Sequence, residues 1–546
     1  MVRRQHVLVR PLLPLAAACA ALVAAALPAG AAGAPPSPYT YTVHVAPQNS
    51  GSSASHSAYE NAVEPSIGAD WTSGLTAFQA DLGTYFVAFD DRSRPATATW
   101  TERSPVTSAE TLDPILYTDN QGTPAAPLGT RTIVSQLAGT TSLSSTTDDA
   151  GVTYLPDSSG QTSGVDHQTV GGGPYAAFPP TGTTGLYPSS GPKRAIYYCS
   201  QDVATAFCER SDNGGTTFGP PVPIYTVSPG VATGCQGLHG HVRVRPDGVV
   251  LVPNKNCGTD VGSLPGSSVN RQAVAENTDN NTTAAGWSID VVPDSTAGVT
   301  DPSTAADASN TMYFGYGDGG GHAKIAVKRA GSGWSSSVDV GALVGVEQTA
   351  FPDVIAGSAG RAAFAFLGST TPTTKGIRGV DRGFAGVWEA YIARTVDSGV
   401  TWSVQKVTTD SAFPVQKGCL QLGGSCTHRN LYDFTDITVD RLGRVEYGFA
   451  DGCVQQADGS TKGCRDGSST TGDTSSDDTN VGSIARQECG PSLFAEQDAA
   501  LSAACNAAIE AAPAMPEAPS APLLITGGLV ATGGAVWWRR RTRASR

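Results

Sequence analysis

Three stretches, Thr147-Asp-Asp-Ala-Gly-Val-Thr-Tyr154, Ser211-Asp-Asn-Gly-Gly-Thr-Thr-Phe218 and Thr395-Val-Asp-Ser-Gly-Val-Thr-Trp402, follow one pattern. A hydroxyl residue comes first, Asp or Asn stands two places on, Gly at four, Thr at six and an aromatic at seven. A short polar side chain can hydrogen-bond the backbone two residues ahead, and Gly supplies the positive φ of a tight reversal. Thr and the aromatic then resume an extended strand and bury the ring. The pattern predicts hairpin turns built on Asp149, Asn213 and Asp397, with a structural role.

Outward from these turns, a longer unit recurs: a polar or aromatic anchor, often beside Pro, then a strand, a Gly turn and a second strand. It opens at Glu64-Pro-Ser-Ile-Gly68, Asp113-Pro-Ile-Leu-Tyr117, Asp166-His-Gln-Thr-Val-Gly-Gly-Gly-Pro174 and His241-Val-Arg-Val-Arg245. It opens again at Asp301-Pro-Ser-Thr-Ala305, Phe351-Pro-Asp-Val-Ile355 and Phe434-Thr-Asp-Ile-Thr438. Seven anchors roughly 50–80 residues apart are the signature of a radial repeat, one four-stranded sheet per anchor. The expectation is an all-β propeller over residues 39–457, with seven blades and six as the alternative. The alternating Tyr39-Thr-Tyr-Thr-Val-His-Val45 is expected to complete the last blade.

The turns and repeats together resemble the Asp-box (BNR) repeat of sialidase-like β-propellers. That resemblance implies an extracytoplasmic protein that binds or hydrolyses surface or environmental glycans, as an exo-glycosidase. The family grips its substrate carboxylate with three arginines and uses an acidic acid/base and a Tyr activated by Glu. The aromatic-Arg-Ile-Pro signature of its first blade is missing here, and the nearest Arg94-Pro95 follows a strand instead of opening the repeat. Tyr447 adjoins Glu446, and neighbours on a strand face opposite sides. Tyr391 near Glu389 is the other pair considered. The resemblance therefore covers the repeat and not the catalytic set. A non-catalytic cell-surface recognition or scaffold propeller is the alternative, and a metal-dependent lyase or hydrolase a weaker one.

The chain ends speak for export. Arg3, Arg4 and Arg10, the apolar Leu12 to Leu27 and the small Ala29-Gly-Ala31 make residues 1–31 a secretory signal. Residues 458–522 read as a polar, then Ala- and Pro-rich stalk with a short helix over Leu493 to Ala512. Residues 523–538 are an uncharged apolar run before the basic tail 539–546, the order of a single membrane anchor with its arginines inside. Without the leader's three and the tail's five arginines, the exported part has a net charge of −21, against −13 for the whole chain. Such a surface repels nucleic acid and anionic lipid, so a carbohydrate or cell-surface ligand and a monomer are expected.

Of 11 cysteines, ten lie beyond the leader. An even number in an oxidising compartment suggests disulfides, and short loops cost least to close. Near-neighbour pairing gives Cys199–Cys208, Cys235–Cys257, Cys419–Cys426, Cys453–Cys464 and Cys489–Cys505. No Cys or His spacing matches a zinc site, so no metal or cofactor is expected.

Polar residues at the starts of innermost strands ring one mouth of a propeller's channel. Asp166 and His167, with His239 and His241, form the most unusual clusters, set among glycines that admit close backbone approach. Histidine titrates near neutrality, so these four are the expected catalytic residues. Asp113, Asp301, Asp353, Arg429 and Asp433 are the expected ligand-binding residues. The two histidine loops belong to consecutive anchors and should meet in space.

Overall fold

The computed structural model describes residues 38–47, 62–106, 113–138, 141–157, 166–176, 183–201, 205–226, 234–235, 237, 239–258, 270–373, 378–381, 383–410, 413–418, 420, 431, 433–455, 461–463 and 480–511. The leader, the anchor segment 523–538, the basic tail, Arg429, Cys419, Cys426 and Cys464 lie outside them. No helix among the described residues is long and apolar enough to cross a membrane.

Seven antiparallel sheets of four or five strands follow one another along the chain, and a two-stranded ribbon, Cys453–Gln455 with Thr461–Gly463, follows the second strand of the last. Their innermost strands are Ser66–Ala69, Pro114–Thr123, Asp166–Pro174, Arg243–Val244, Ser303–Ala306, Gln348–Ala356 and Asp436–Val439, one from each expected anchor. These define blades one to seven. The seventh is closed by the chain's own beginning: Thr40–Val45 pairs with Val481–Cys489 as its outermost strand.

Each blade buries both faces, so alternate residues of one strand serve different neighbours. In blade three, Ile196 and Tyr198 pack with Ile115 and Ile133 of blade two. Ala195, Tyr197 and Cys199 pack with Val250 and Val252 of blade four. The apolar interior is accordingly seven wedges, one between each neighbouring pair of blades. Near the axis the blades converge and only small residues fit. A Cβ on Gly68 would lie 2.2 Å from Thr118 Oγ1 of the next blade.

The last blade runs past residue 457, where the sequence reading ended the propeller. Its third strand, Val481–Cys489, follows the polar run of 458–480, so the insertion hid a strand inside the expected stalk. The chain then crosses blades six and seven: Leu493 joins their shared core, and Arg361 pairs with Asp498 at 2.7 Å. The helix Asp498–Ala511 follows, in the Ala-rich stretch expected to form one.

Cys199–Cys208 and Cys235–Cys257 are directly opposed cross-strand pairs with Cα atoms 4.1 Å apart. Cys489–Cys505 ties the helix to the last blade, with Cα atoms 5.6 Å apart. Cys453 is also oxidised.

Candidate functional site

The polar anchors mainly join blades. Six side chains on or beside innermost strands accept a backbone N–H from the next blade's innermost strand. Ser66 Oγ takes Leu116 N at 3.1 Å, Asp113 Oδ2 takes His167 N at 2.7 Å and Thr169 Oγ1 takes Val242 N at 3.2 Å. Ser303 Oγ takes Val354 N at 3.0 Å, Asp353 Oδ2 takes Ile437 N at 3.1 Å and Asp436 Oδ2 takes Ile67 N at 3.0 Å. At the junction of blades four and five an ion pair, Lys255 Nζ to Asp301 Oδ1 at 2.9 Å, stands nearby. Innermost strands so close to the axis have amides that water cannot reach, and each buried donor needs a partner. The recurrence of Asp and Ser at the anchors thus has a structural cause. Asp113 and Asp353, expected to face a ligand, spend lone pairs on neighbouring amides.

The two histidine loops do meet. The rings of His167 and His239 lie edge to face with centroids 5.4 Å apart, and Phe434 packs edge-on against His241 at 5.1 Å. The cause is a break in blade four: Gly234–Cys235 and Arg243–Val244 pair with opposite ends of Val250–Gly258. His239-Gly240-His241 lies in the gap, where a Cβ on Gly240 would come 1.9 Å from Pro302 O. The entry residues Glu64, His167 and Phe351 have φ of 50°, 62° and 52°, a left-handed conformation that bulky side chains adopt only when the surroundings enforce it.

All three histidines are buried. His239 Nδ1 lies 3.1 Å from Gly240 O, an acceptor, so Nδ1 carries the proton. Burial, reinforced by the neighbouring His167, lowers the His239 pKa to about 4. His167 Nε2 lies 3.3 Å from Asp301 Oδ2. Burial pushes the Asp301 carboxyl up, but Lys255 and His167 outweigh it and hold its pKa at about 2. Asp433 is half-buried before the innermost strand of blade seven. Asp166 opens that of blade three opposite Gln201, and its side chain is outside the described residues.

Deeper in the channel, His241, Asp353 and Asp436 bring ligand atoms within 4.8 Å of one another, a donor set suited to a divalent cation. A guanidinium stands there: Arg243 Nη2 is 3.2 Å from Asp436 Oδ1 and 3.6 Å from Asp353 Oδ2. Asp436 also accepts Ser66 Oγ at 2.8 Å and its own strand's Ile437 N at 2.9 Å, so its lone pairs are committed. The two carboxyls bring oxygens within 4.8 Å of each other. Burial drives the Asp353 pKa well up, whereas His241 and Arg243 overcome burial at Asp436 and keep it ionised.

Beyond this layer, toward the C-terminal ends of the innermost strands, a cavity of about 270 Å³ is lined by residues of all seven blades. Arg243 and Asp436 border it, with Tyr117, Thr118, Asn120, Arg194 and Trp71. Arg194 grips the buried Asp119 through Nε at 3.0 Å and Nη2 at 2.6 Å. Trp71 donates its indole N–H to Val439 O at 3.0 Å and meets the Phe494 ring edge-on at 5.3 Å. Arg194, Arg243 and Trp71 were not among the expected site residues. The alternation His241-Val-Arg243 was the available signal for the second of them.

The three motif turns lie between third and fourth strands. Asp397 Oδ1 accepts Thr401 N at 2.9 Å and Oδ2 accepts Thr401 Oγ1 at 2.6 Å; Asp149 repeats the arrangement with Thr153, and Asn213 accepts Thr217 N on Oδ1 but donates its Nδ2 to Thr217 Oγ1 at 2.8 Å. A fourth such turn, Asn277 to Trp287, has Asp279 bonded to Thr282 N at 3.1 Å and Thr283 Oγ1 at 2.7 Å. Asn281 holds its Gly position with φ of 57°, and an insertion before Trp287 broke the spacing. Glu446 and Tyr447 face opposite sides, the first to Thr76 at 2.6 Å and the second to Thr435 at 3.1 Å.

No family model and no curated protein matches this chain. Similar solved structures include an Aleuria aurantia lectin in complex with Fucalpha1-6GlcNAc, at 11% identity, covering 64% of this chain and 98% of that one, with a TM-score of 0.38. A phage phi92 endosialidase matches at 10% identity over 83% of this chain and 70% of that one, with a TM-score of 0.35. The PQQ-bound aldose sugar dehydrogenase of Streptomyces coelicolor matches at 10% identity over 68% and 98%, with a TM-score of 0.31. The chain is a seven-bladed β-propeller on the evidence of its own sheets.

Proposed function

We propose that this protein is an exported, surface-held recognition propeller that binds one sugar unit of a glycan in the channel cavity. The observation that carries this reading is the cavity itself: all seven blades contribute to it, and preoriented guanidinium groups and an indole line it. At about 270 Å³ it falls just below the ~300 Å³ where pockets for drug-sized ligands begin, a size for a single sugar unit. The leader-like residues 1–31 and the apolar-then-basic residues 523–546 support export and tethering.

Hydrolysis is the second reading, and the carboxyl geometry speaks against it. Glycosidases separate their two carboxyls by about 5 Å or more, whereas oxygens of Asp353 and Asp436 lie within 4.8 Å of each other with the Arg243 guanidinium beside both. The test is a glycan array probed with the purified full-length chain, followed by calorimetry on any hit. Binding of a saccharide that weakens about tenfold in Trp71→Ala, with circular dichroism showing the variant still folded, is the expected result. An array without a single retained glycan would overturn the reading.

A further inference from the structure

We infer that Arg243 and Arg194 are the ligand-contacting residues of the channel cavity and that they select a neutral, diol-bearing sugar over an acidic one. This rests on the recognition reading above and names its ligand class. Both arginines line the cavity, with 22% and 23% of their side chains accessible. Arg243 commits Nη2 to Asp436, and its Nε and Nη1 make no hydrogen bond to the described residues. Arg194 commits Nε and Nη2 to Asp119, and its Nη1 makes none. Each guanidinium therefore offers oriented N–H donors to the cavity while a carboxylate fixes its plane.

The charge balance decides what those donors accept. Arg194 faces Asp119, and Arg243 faces Asp436 with Asp353 3.6 Å away, so each base has at least one acid beside it. The wall thus presents hydrogen-bond donors without net positive charge. A sugar hydroxyl is neutral and accepts from a guanidinium N–H at little desolvation cost, and adjacent hydroxyls match the planar fork. A sugar carboxylate would leave water for a place where Asp436 and Asp119 already neutralise both arginines. Desolvation then opposes it with no unpaired cation in return. Sialic acid recognition in the resembled family needs three arginines on one carboxylate. Here two line the cavity, and both are taken.

Titration calorimetry on the full-length chain tests this with two probes, a methyl glycoside panel of neutral hexoses and the methyl glycoside of N-acetylneuraminic acid. Arg243→Lys and Arg194→Lys keep a cation beside each carboxylate and remove the planar donors. The expected result is binding of at least one neutral glycoside by the wild type, weakened about tenfold in each variant with the melting temperature little changed. Circular dichroism confirms folding of each variant. Tighter binding of the acidic probe, or neutral binding indifferent to both Lys variants, would overturn the inference and leave sugar recognition standing. Failure of every saccharide probe with the wild type would overturn the recognition reading and this inference with it.

Discussion

The Asp436 carboxylate accepts the backbone amide of Ile67 at 3.0 Å, across 369 positions of sequence. That bond joins the last blade to the first, and its counterparts repeat around the axis through Ser66, Asp113, Thr169, Ser303 and Asp353. The ring is closed twice, by these bonds at the axis and by Thr40–Val45 at the rim.

Removal of the Asp436 carboxylate should be costly. Asp436→Ala strands the buried Ile67 amide and leaves the Arg243 guanidinium with Asp353 alone, 3.6 Å away. Breaking a buried ion pair from one side costs about 3–5 kcal/mol. Chemical denaturation of the variant should show a loss of that size, and a loss below about 1 kcal/mol would remove Asp436 from its role as ring closure.

The motif turns should matter less. Asp397→Ala and Asp149→Ala each delete turn hydrogen bonds at the protein surface, with an expected loss of about 1 kcal/mol. Ligand affinity should stay at the wild-type value. A variant that melts normally and no longer binds would contradict a structural role for these turns.

His239 should give the protein an acid-sensitive term. Its folded pKa is about 4 against 6.5 for a free imidazole, so between those values the unfolded chain binds the proton and the native one does not. The contribution is complete above pH ~6.5 and is lost as pH falls toward ~4, for a total of about 3 kcal/mol. Glu446, which burial raises to about 7, works in the opposite sense from its ordinary 4.5 upward: stability is lost as pH rises toward 7. The measurement is therefore the difference in unfolding free energy between wild type and His239→Gln across pH 4–7. A pH-independent difference would refute the neutral buried imidazole.

The Cys489–Cys505 bridge closes a 16-residue separation, worth about 3 kcal/mol in chain entropy. In Cys505→Ser the helix Asp498–Ala511 should become protease-sensitive while the propeller unfolds near its wild-type midpoint. Resistance equal to the wild type would mean that Arg361–Asp498 and the Leu493 contacts hold the helix unaided.

Much of the fold was open to reading because local chemistry repeats. Every blade begins at an anchor, and six of the seven junctions carry a polar side chain on a neighbouring blade's buried amide, so seven anchors marked seven blades. Val481–Cys489 was missed because a polar insertion separates it from the strand it pairs with. The turn at Asn277 was missed because Asn281 replaces Gly, and Asn tolerates positive φ.

The sequence by itself determined the blades, the turns, the closing strand and the near-neighbour bridges at Cys199, Cys235 and Cys489, because each depends on residues a few places apart or on a regular period. Only the tertiary structure decided what the anchors do. Whether Asp353 faces a ligand or the Ile437 amide, and whether Arg243 is a free cation or the partner of Asp436, depends on strands from different blades meeting at one axis. Such charge pairing is a property of the closed ring, which no single repeat contains.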